Sequence, residues 1–277
     1  MKEVRFDVEG EPVAGSLHEP TGPARGALVL VHGFLSRREE FADAPTKLAQ
    51  RGWVVLAIDQ RGFGASGGPR GVLSAPRATA DTLAAVAWLR KERPGLPVGL
   101  VAHSMGAVFG AGALAADPSI RAAVLAAPMK SVRAELGDAE FLGYRVANAF
   151  SRAKARLGMG PLVVPYKNRY RDLFLDPEAA KRAQKAAFLD ATVSLGNYDA
   201  LLAMDTLASA RKATQPVLVI LAQHDKAVKH ASSREVYDAL AGPKEIVILD
   251  CGHSMFGDCK ADEAIAQVDR WMGMHLA

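Results

Sequence analysis

The sequence predicts an α/β fold in which helices cover both faces of a mostly parallel central sheet, with a further segment inserted as a cap. Near-continuous apolar runs recur along the chain, as expected of strands buried on both faces. Stretches of helical periodicity separate most of them, which is the pattern of a parallel sheet with crossover helices. One interval, between Pro128 and Pro216, is far longer than the dozen or so residues a single crossover needs.

The first twenty residues alternate weakly around E-G-E-P and read as an antiparallel hairpin, K-E-V-R-F-D-V then P-V-A-G-S-L-H. After a Gly/Pro loop comes G-A-L-V-L-V-H-G, the first of the buried runs. It is followed by W-V-V-L-A-I-D, P-V-G-L-V-A-H, I-R-A-A-V-L-A-A and P-V-L-V-I-L-A-Q, with K-E-I-V-I-L-D as a sixth candidate. Thr79 to Lys91 places Leu83, Val86 and Leu89 at near-helical spacing and stops at R-P-G. Ser232 to Ala241 pairs Val236 with Leu240 and ends at Gly242-Pro243. The last helix, from Ala261 to about Leu276, puts Ile265, Val268, Met272 and Leu276 on one face.

Residues around Leu201 to Lys212 can supply the crossover helix before Pro216. This leaves residues 129–198 as the cap insertion, and 1–128 with 199–277 as the core domain. The insertion holds Phe141, Tyr144, Phe150, Tyr166, Tyr170, Phe174, Phe188 and Tyr198, over half of the chain's Phe and Tyr. Of these, Phe141, Tyr144, Phe150, Tyr166, Phe174 and Tyr198 are candidates for an apolar substrate pocket. The equal alternative for any one of them is that it fills a small core belonging to the insertion itself.

Composition narrows the function classes. With 277 residues, 49% of them hydrophobic and 23% charged, the chain can bury a sizeable core. The N-terminus has no apolar h-region, and no apolar stretch nears the roughly 18–20 residues that span a bilayer. A cytoplasmic protein without an integral membrane segment is expected. The net charge of +4 is modest, and no nucleic-acid module is present. Basic residues are densest from Arg145 to Arg171, with Arg152, Lys154, Arg156, Lys167 and Arg169 between. A solvated helix face explains them better than an anion site. Two cysteines, Cys251 and Cys259, are too few for a disulfide framework, and no zinc-like ligand spacing accompanies them, so no metal is expected.

Ligands of an open parallel sheet bind beyond the carboxyl ends of its strands. Those ends carry His32-Gly33-Phe34, Asp59 in D-Q-R-G-F-G-A-S, His103-Ser104-Met105-Gly106, Asp225 and His253. Ser104 follows a strand and precedes a helix-like stretch. On so sharp a turn its backbone is strained, its hydroxyl is presented at the sheet edge, and small residues are needed two positions away on either side. Gly106 meets that need, and Ala102 departs from the usual glycine by one methyl group.

A serine hydroxyl needs a base, and the base needs an orienting acid. Of the seven histidines, His253 lies on the glycine-flanked loop after the last strand, where a Ser…acid…His order puts the base. Asp225, at the end of the preceding strand, is the favoured acid, with Asp250 as its rival. His103 adjoins the serine and points elsewhere on a tight turn. The backbone N–H groups of Phe34 and Met105 are placed to form the oxyanion hole. Asp59 and Arg61 read as parts of a supporting turn, and Cys251 as a packed thiol.

These residues, from H-G-F through D-Q-R-G-F-G-A-S and A-H-S-M-G to the late Asp and G-H-S, resemble the α/β-hydrolase fold across essentially the whole chain. Within it they resemble the monoacylglycerol lipase and lysophospholipase-like esterases, and L-D-P-E at 175–178 is similar to part of that family's cap region. The resemblance implies a cofactor-independent serine hydrolase acting on a small-molecule carboxylic ester with an apolar acyl chain held under the cap. An acyl-CoA thioesterase or acyltransferase, or a non-catalytic binding module that retains the triad, is the alternative.

Overall fold

The computed structural model describes residues 1–159, 162–165, 170–189, 192–195 and 198–276. β1 (Lys2–Val8) and β2 (Glu11–His18) form the N-terminal hairpin, with Lys2 opposite Leu17 and Val8 opposite Glu11. β2 then pairs antiparallel with β4 (Trp53–Ile58). β4 begins a parallel series with β3 (Gly26–Val31), β5 (Val98–His103), β6 (Ala123–Ala126), β9 (Val217–Ala222) and β10 (Lys244–Leu249). The order across the sheet is β1-β2-β4-β3-β5-β6-β9-β10. Since β3 lies between β4 and β5, the direction of winding changes there, and a crevice opens at that point.

Strand periodicity sorts each central strand between two cores. In β3, Ala27, Val29 and Val31 join one core, and Leu28 and Leu30 join the other. α2 (Ala75–Glu92), α3 (Gly106–Ala116), α9 (Thr206–Ala210) and α10 (His230–Ala239) cover the first, through Val86, Leu89, Phe109, Ala210 and Val236. α1 (Ala44–Gln50) and α11 (Ala261–Leu276) cover the second, through Leu48, Ile265, Val268 and Trp271. Each such side chain contributes about 1.5–3 kcal/mol on full burial. This two-sided demand is why β3, β4, β5, β6 and β9 are apolar without alternation, whereas the outlying β1 alternates.

α3 is buried nearly all round because it is built of Gly, Ala, Val, Phe and Leu, and it stops before Asp117-Pro118. Its first residue meets the end of β3 at close range. A Cβ at Gly106 would lie 2.4 Å from the carbonyl oxygen of Val31 and 2.5 Å from that of His32. Only glycine lets the helix start so near the strand.

Between β6 and β9 run α4 (Val132–Glu135), α5 (Asp138–Arg156), β7 (Val163–Pro165), α6 (Tyr170–Leu173), α7 (Pro177–Ala186), β8 (Thr192–Ser194), α8 (Tyr198–Leu202) and α9. β7 and β8 pair antiparallel. Tyr170, Phe174 and Phe188 pack with Ala179, Ala180 and Ala183 of α7 into a small separate core. α5 is amphipathic in an inverted sense. Its Asn148 and Ser151 are buried, while Leu142, Val146 and Phe150 project outward. The crossover helix expected over 201–212 is shorter, spanning Thr206–Ala210 in α9. The Asp205 carboxylate accepts the N–H groups of Leu207 and Ala208 and so starts a new helix where α8 has ended. No helix among the described residues is long and apolar enough to cross a membrane.

Gly106→Ala is expected to cost at least about 2 kcal/mol, because the added methyl meets backbone oxygens that cannot move without shifting β3. Urea unfolding of the variant checks this, and an unchanged midpoint would contradict the packing described.

Candidate active site

The carboxyl ends of β3, β5, β9 and β10 converge on Ser104. This residue sits between β5 and α3 with φ +55°, a left-handed backbone that costs a non-glycine residue about 1–3 kcal/mol. Its N–H donates to the Ala126 carbonyl at 2.8 Å, which fastens the turn to β6. The methyl group at Ala102, where such turns usually carry glycine, is matched by a glycine on the facing helix. A Cβ at Gly110 would lie 2.9 Å from that of Ala102, so the small residue has moved to the helix side.

His253 follows β10 and is buried, with its Nδ1 donating to Asp225 Oδ2 at 2.8 Å. The other Asp225 oxygen accepts the N–H groups of Ala227 and Val228, both at 2.8 Å. Burial pushes the Asp225 carboxyl up. The charge and hydrogen bond of His253, with those two backbone donors, outweigh burial and hold it below the usual aspartate range. Asp225 is thus kept as a carboxylate that accepts the Nδ1 hydrogen of His253 and fixes the orientation of its ring. Asp250 lies elsewhere: it is exposed and bonded to His224 Nε2 at 2.8 Å.

The loop after β3 is fixed from both sides. The N–H of Gln60 donates to His32 Nε2, so His32 Nδ1 carries the hydrogen and donates to the Gly33 carbonyl at 2.8 Å. This holds the peptide plane whose N–H belongs to Phe34. The Gly33 N–H in turn donates to the Glu40 carboxylate, at 3.2 and 3.3 Å to its two oxygens. Asp59 accepts the N–H groups of Arg38 and Ala65, and the buried Arg61 pairs with Asp81 and with the Val8 carbonyl. Asp59 therefore braces the loop from below, while Arg61 ties the turn that follows β4 to the N-terminal hairpin and α2.

Ser104, His253, Phe34 and Met105 all open onto one cavity of about 370 Å³. Its walls are mainly apolar, with Leu35, Met129, Val132, Leu136, Tyr144, Phe188 and Leu201 among them, while Glu135, Glu140 and Lys226 bring charge to it. Of the aromatic residues expected to line a pocket, Tyr144 does so. Phe141 is instead covered by the Arg133 guanidinium, 4.2 Å from its ring centre. Phe150 faces outward with 62% of its surface exposed, because α5 turns its polar side inward. Phe174 is buried in the small core with Tyr170 and α7. Tyr166 lies outside the described residues, as do Lys167, Arg169 and the side chain of Tyr198. Phe188, read only as one of the insertion's aromatics, does reach the cavity. Cys251 is buried, which pushes its thiol up to about 12, and this leaves no thiolate near neutral pH.

Two further acids shape the site, and neither belongs to a recognisable motif. Glu40 is buried in the short 3-10 turn Arg38–Phe41 and pairs with Nδ1 of His103, whose Nε2 donates to the His253 carbonyl at 2.9 Å. Burial pushes Glu40 up, but the charge and hydrogen bond of His103, helped by a hydrogen bond from Ser36, bring it down to about 2. Burial pulls His103 down, yet Glu40 raises it above the usual histidine range. Asp258 accepts the N–H groups of Gly252, Leu175 and Asp176, which stitches the His253 loop to the segment between α6 and α7. The only sequence signal for either acid was its nearness to a site loop.

The architecture is that of an α/β hydrolase, shared along nearly the full chain with solved structures. A soluble variant of monoglyceride lipase from Saccharomyces cerevisiae, in complex with a substrate analog, superposes with a TM-score of 0.84 at 16% identity, over 100% of this chain and 95% of the other. A thermostable carboxyl esterase from Bacillus coagulans gives 0.81 at 16% identity, over 100% and 99%. A family model described as "Serine aminopeptidase, S33" matches residues 22–260, and the chain belongs to that family of hydrolases. It is 27% identical over 279 residues to a monoacylglycerol lipase of Mycolicibacterium smegmatis, covering 97% of this chain and 95% of the relative.

The Glu40–His103 pair has a pH signature. With its pKa lowered from 4.5 to about 2, Glu40 stabilises the fold fully above about pH 4.5, and that contribution is lost as pH falls towards 2. The raised His103 contributes fully below about pH 6.5, and its share is lost as pH rises through the higher folded value. The stability gap between the native protein and Glu40→Gln should therefore shrink from pH 4.5 to 2, as read by urea unfolding at each pH. Parallel curves would contradict the ion pair.

Proposed function

We propose that the protein is a serine hydrolase that cleaves carboxylic esters through an acyl-enzyme. One observation carries the reading: Ser104, strained on its turn, shares a cavity with a His253 whose Nδ1 is held by the Asp225 carboxylate. In this scheme His253 Nε2 takes the Ser104 proton as Oγ attacks the acyl carbon. Backbone N–H groups of Phe34 and Met105, the latter at the start of α3, receive the oxyanion. His253 then protonates the leaving alcohol, and water repeats the cycle on the acyl group.

The segment 129–198 serves as a cap over the acyl pocket, with Tyr144 and Phe188 in its wall. A volume of about 370 Å³ is at the lower end of the ~300–1,000 Å³ typical of small-molecule sites, which favours short to medium acyl chains over long ones. The printed names of the lipase and esterase relatives support the ester class.

A second reading is removal of an N-terminal residue from a peptide. It is favoured by the family's description and by Glu135, which lines the cavity with one buried oxygen lacking a partner while the other accepts the Lys229 N–H. The carboxylate brings to the cavity wall the negative charge that a substrate ammonium group requires.

A panel of p-nitrophenyl esters from acetyl to palmitoyl, run beside alanine p-nitroanilide, separates these readings. A Ser104-dependent optimum at short or medium esters supports the first, and faster turnover of the anilide supports the second. Ser104→Ala should abolish turnover with little change in thermal unfolding. Asp225→Asn should lower kcat about 10³–10⁴-fold, whereas Asp250→Asn, at an exposed pair, leaves it within about twofold. The reverse ranking would move the acid to Asp250.

A further inference from the structure

We propose that Glu40 and His103 are positioning residues, a buried pair that holds the oxyanion loop, the Ser104 turn and the His253 loop in one mutual geometry. This rests on the reading of Ser104 as the nucleophile. The two side chains are 5% and 2% exposed, and although both residues border the cavity, neither makes or breaks a bond or transfers a proton in the proposed scheme. A carboxylate and a carbonyl can only accept hydrogen bonds, so both ring nitrogens of His103 act as donors. Nδ1 donates to Glu40, which also receives the N–H of Gly33, the residue before Phe34. Nε2 donates to the backbone oxygen of His253 itself, at 2.9 Å. His103 is moreover the residue bonded covalently to Ser104. One ion pair therefore touches all three groups that must meet at the acyl carbon.

The rings add a second constraint. His103 packs against His253 with centroids 4.7 Å apart, and Phe256 meets it nearly at right angles with centroids 6.3 Å apart. The charged and titratable groups facing the pair are His32, His253 and Asp225. Burying a lone imidazolium or a lone carboxylate here would be strongly unfavourable, so each requires the other. An ordinary brace would need only one such bond. Here a single side chain ties the backbone of the base to the loop offering the oxyanion donor, and both are among the parts that catalysis places to within a fraction of an ångström.

The test uses the full chain and reports kcat per reactive serine, counted by titration with a fluorescent fluorophosphonate. His103→Phe keeps the ring and its packing but loses both bonds, and Glu40→Leu removes the acceptor. Both should lower kcat per titrated site about 10²-fold with KM nearly unchanged, because a misplacement of about 1 Å costs that much. Glu40→Gln, whose amide can accept from Gly33 and donate to a neutral His103, should recover at least about tenfold over Glu40→Leu. If His103→Phe fails to fold, the Leu and Gln variants at position 40 give the same comparison. A per-site kcat equal to the native value in the Leu or Phe variant overturns the proposal, as does equal activity of the Leu and Gln variants. A native protein that takes up no fluorophosphonate removes the reading of Ser104 itself, and this inference with it. Full native labelling with unaltered variants removes this inference alone.

Discussion

Ser104 can keep its left-handed backbone only because the elements around it leave no room for another conformation. Its N–H is bonded to β6, and the helix that follows begins so close to β3 that position 106 admits no side chain. The next turn of that helix rests on Ala102 through a second glycine. Three strands and one helix thus share the strain of a single residue. Their packing in turn requires the small, apolar composition of α3 and the unbroken apolar runs of β3 and β5. The core and the site are in this sense one structure, and the conformation at Ser104 is their point of contact.

Behind that turn the electrostatics run in two buried pairs set ring against ring, Glu40 with His103 and Asp225 with His253. Each carboxylate is kept ionised against burial by its histidine, and Asp225 also by backbone N–H groups. They differ in what faces the cavity. His253 is held through Nδ1 alone, the arrangement the proposed reaction uses, whereas both nitrogens of His103 are occupied. One histidine ends a strand and the other lies on the loop after β10, and their rings are 4.7 Å apart.

The sheet was legible in the sequence because strands covered on both faces must be apolar at every position, and runs such as A-L-V-L-V have no other economical reading. The chain order of Ser104, Asp225 and His253 was legible for a related reason: each follows such a run and so falls at the same sheet edge. Glu40 was not. It sits beside Glu39 in R-R-E-E-F, and only the 3-10 turn decides which of the two carboxylates turns inward. Asp258 was hidden likewise, since its partners are backbone N–H groups, two of them in another part of the chain. Phe150 misled because aromatic content marks apolar surface without saying which way a helix faces, and α5 buries Asn148 and Ser151 in place of its larger apolar side chains.

In the proposed reaction Ser104 carries a covalent acyl intermediate. Acid quenching of the protein during turnover of p-nitrophenyl butyrate, followed by intact-mass measurement and peptide mapping, tests it most directly. The account predicts a single butyryl group per chain, on the peptide containing Ser104, absent from Ser104→Ala. Ester consumed with no adduct, or an adduct on another residue such as the exposed Cys259, would contradict it.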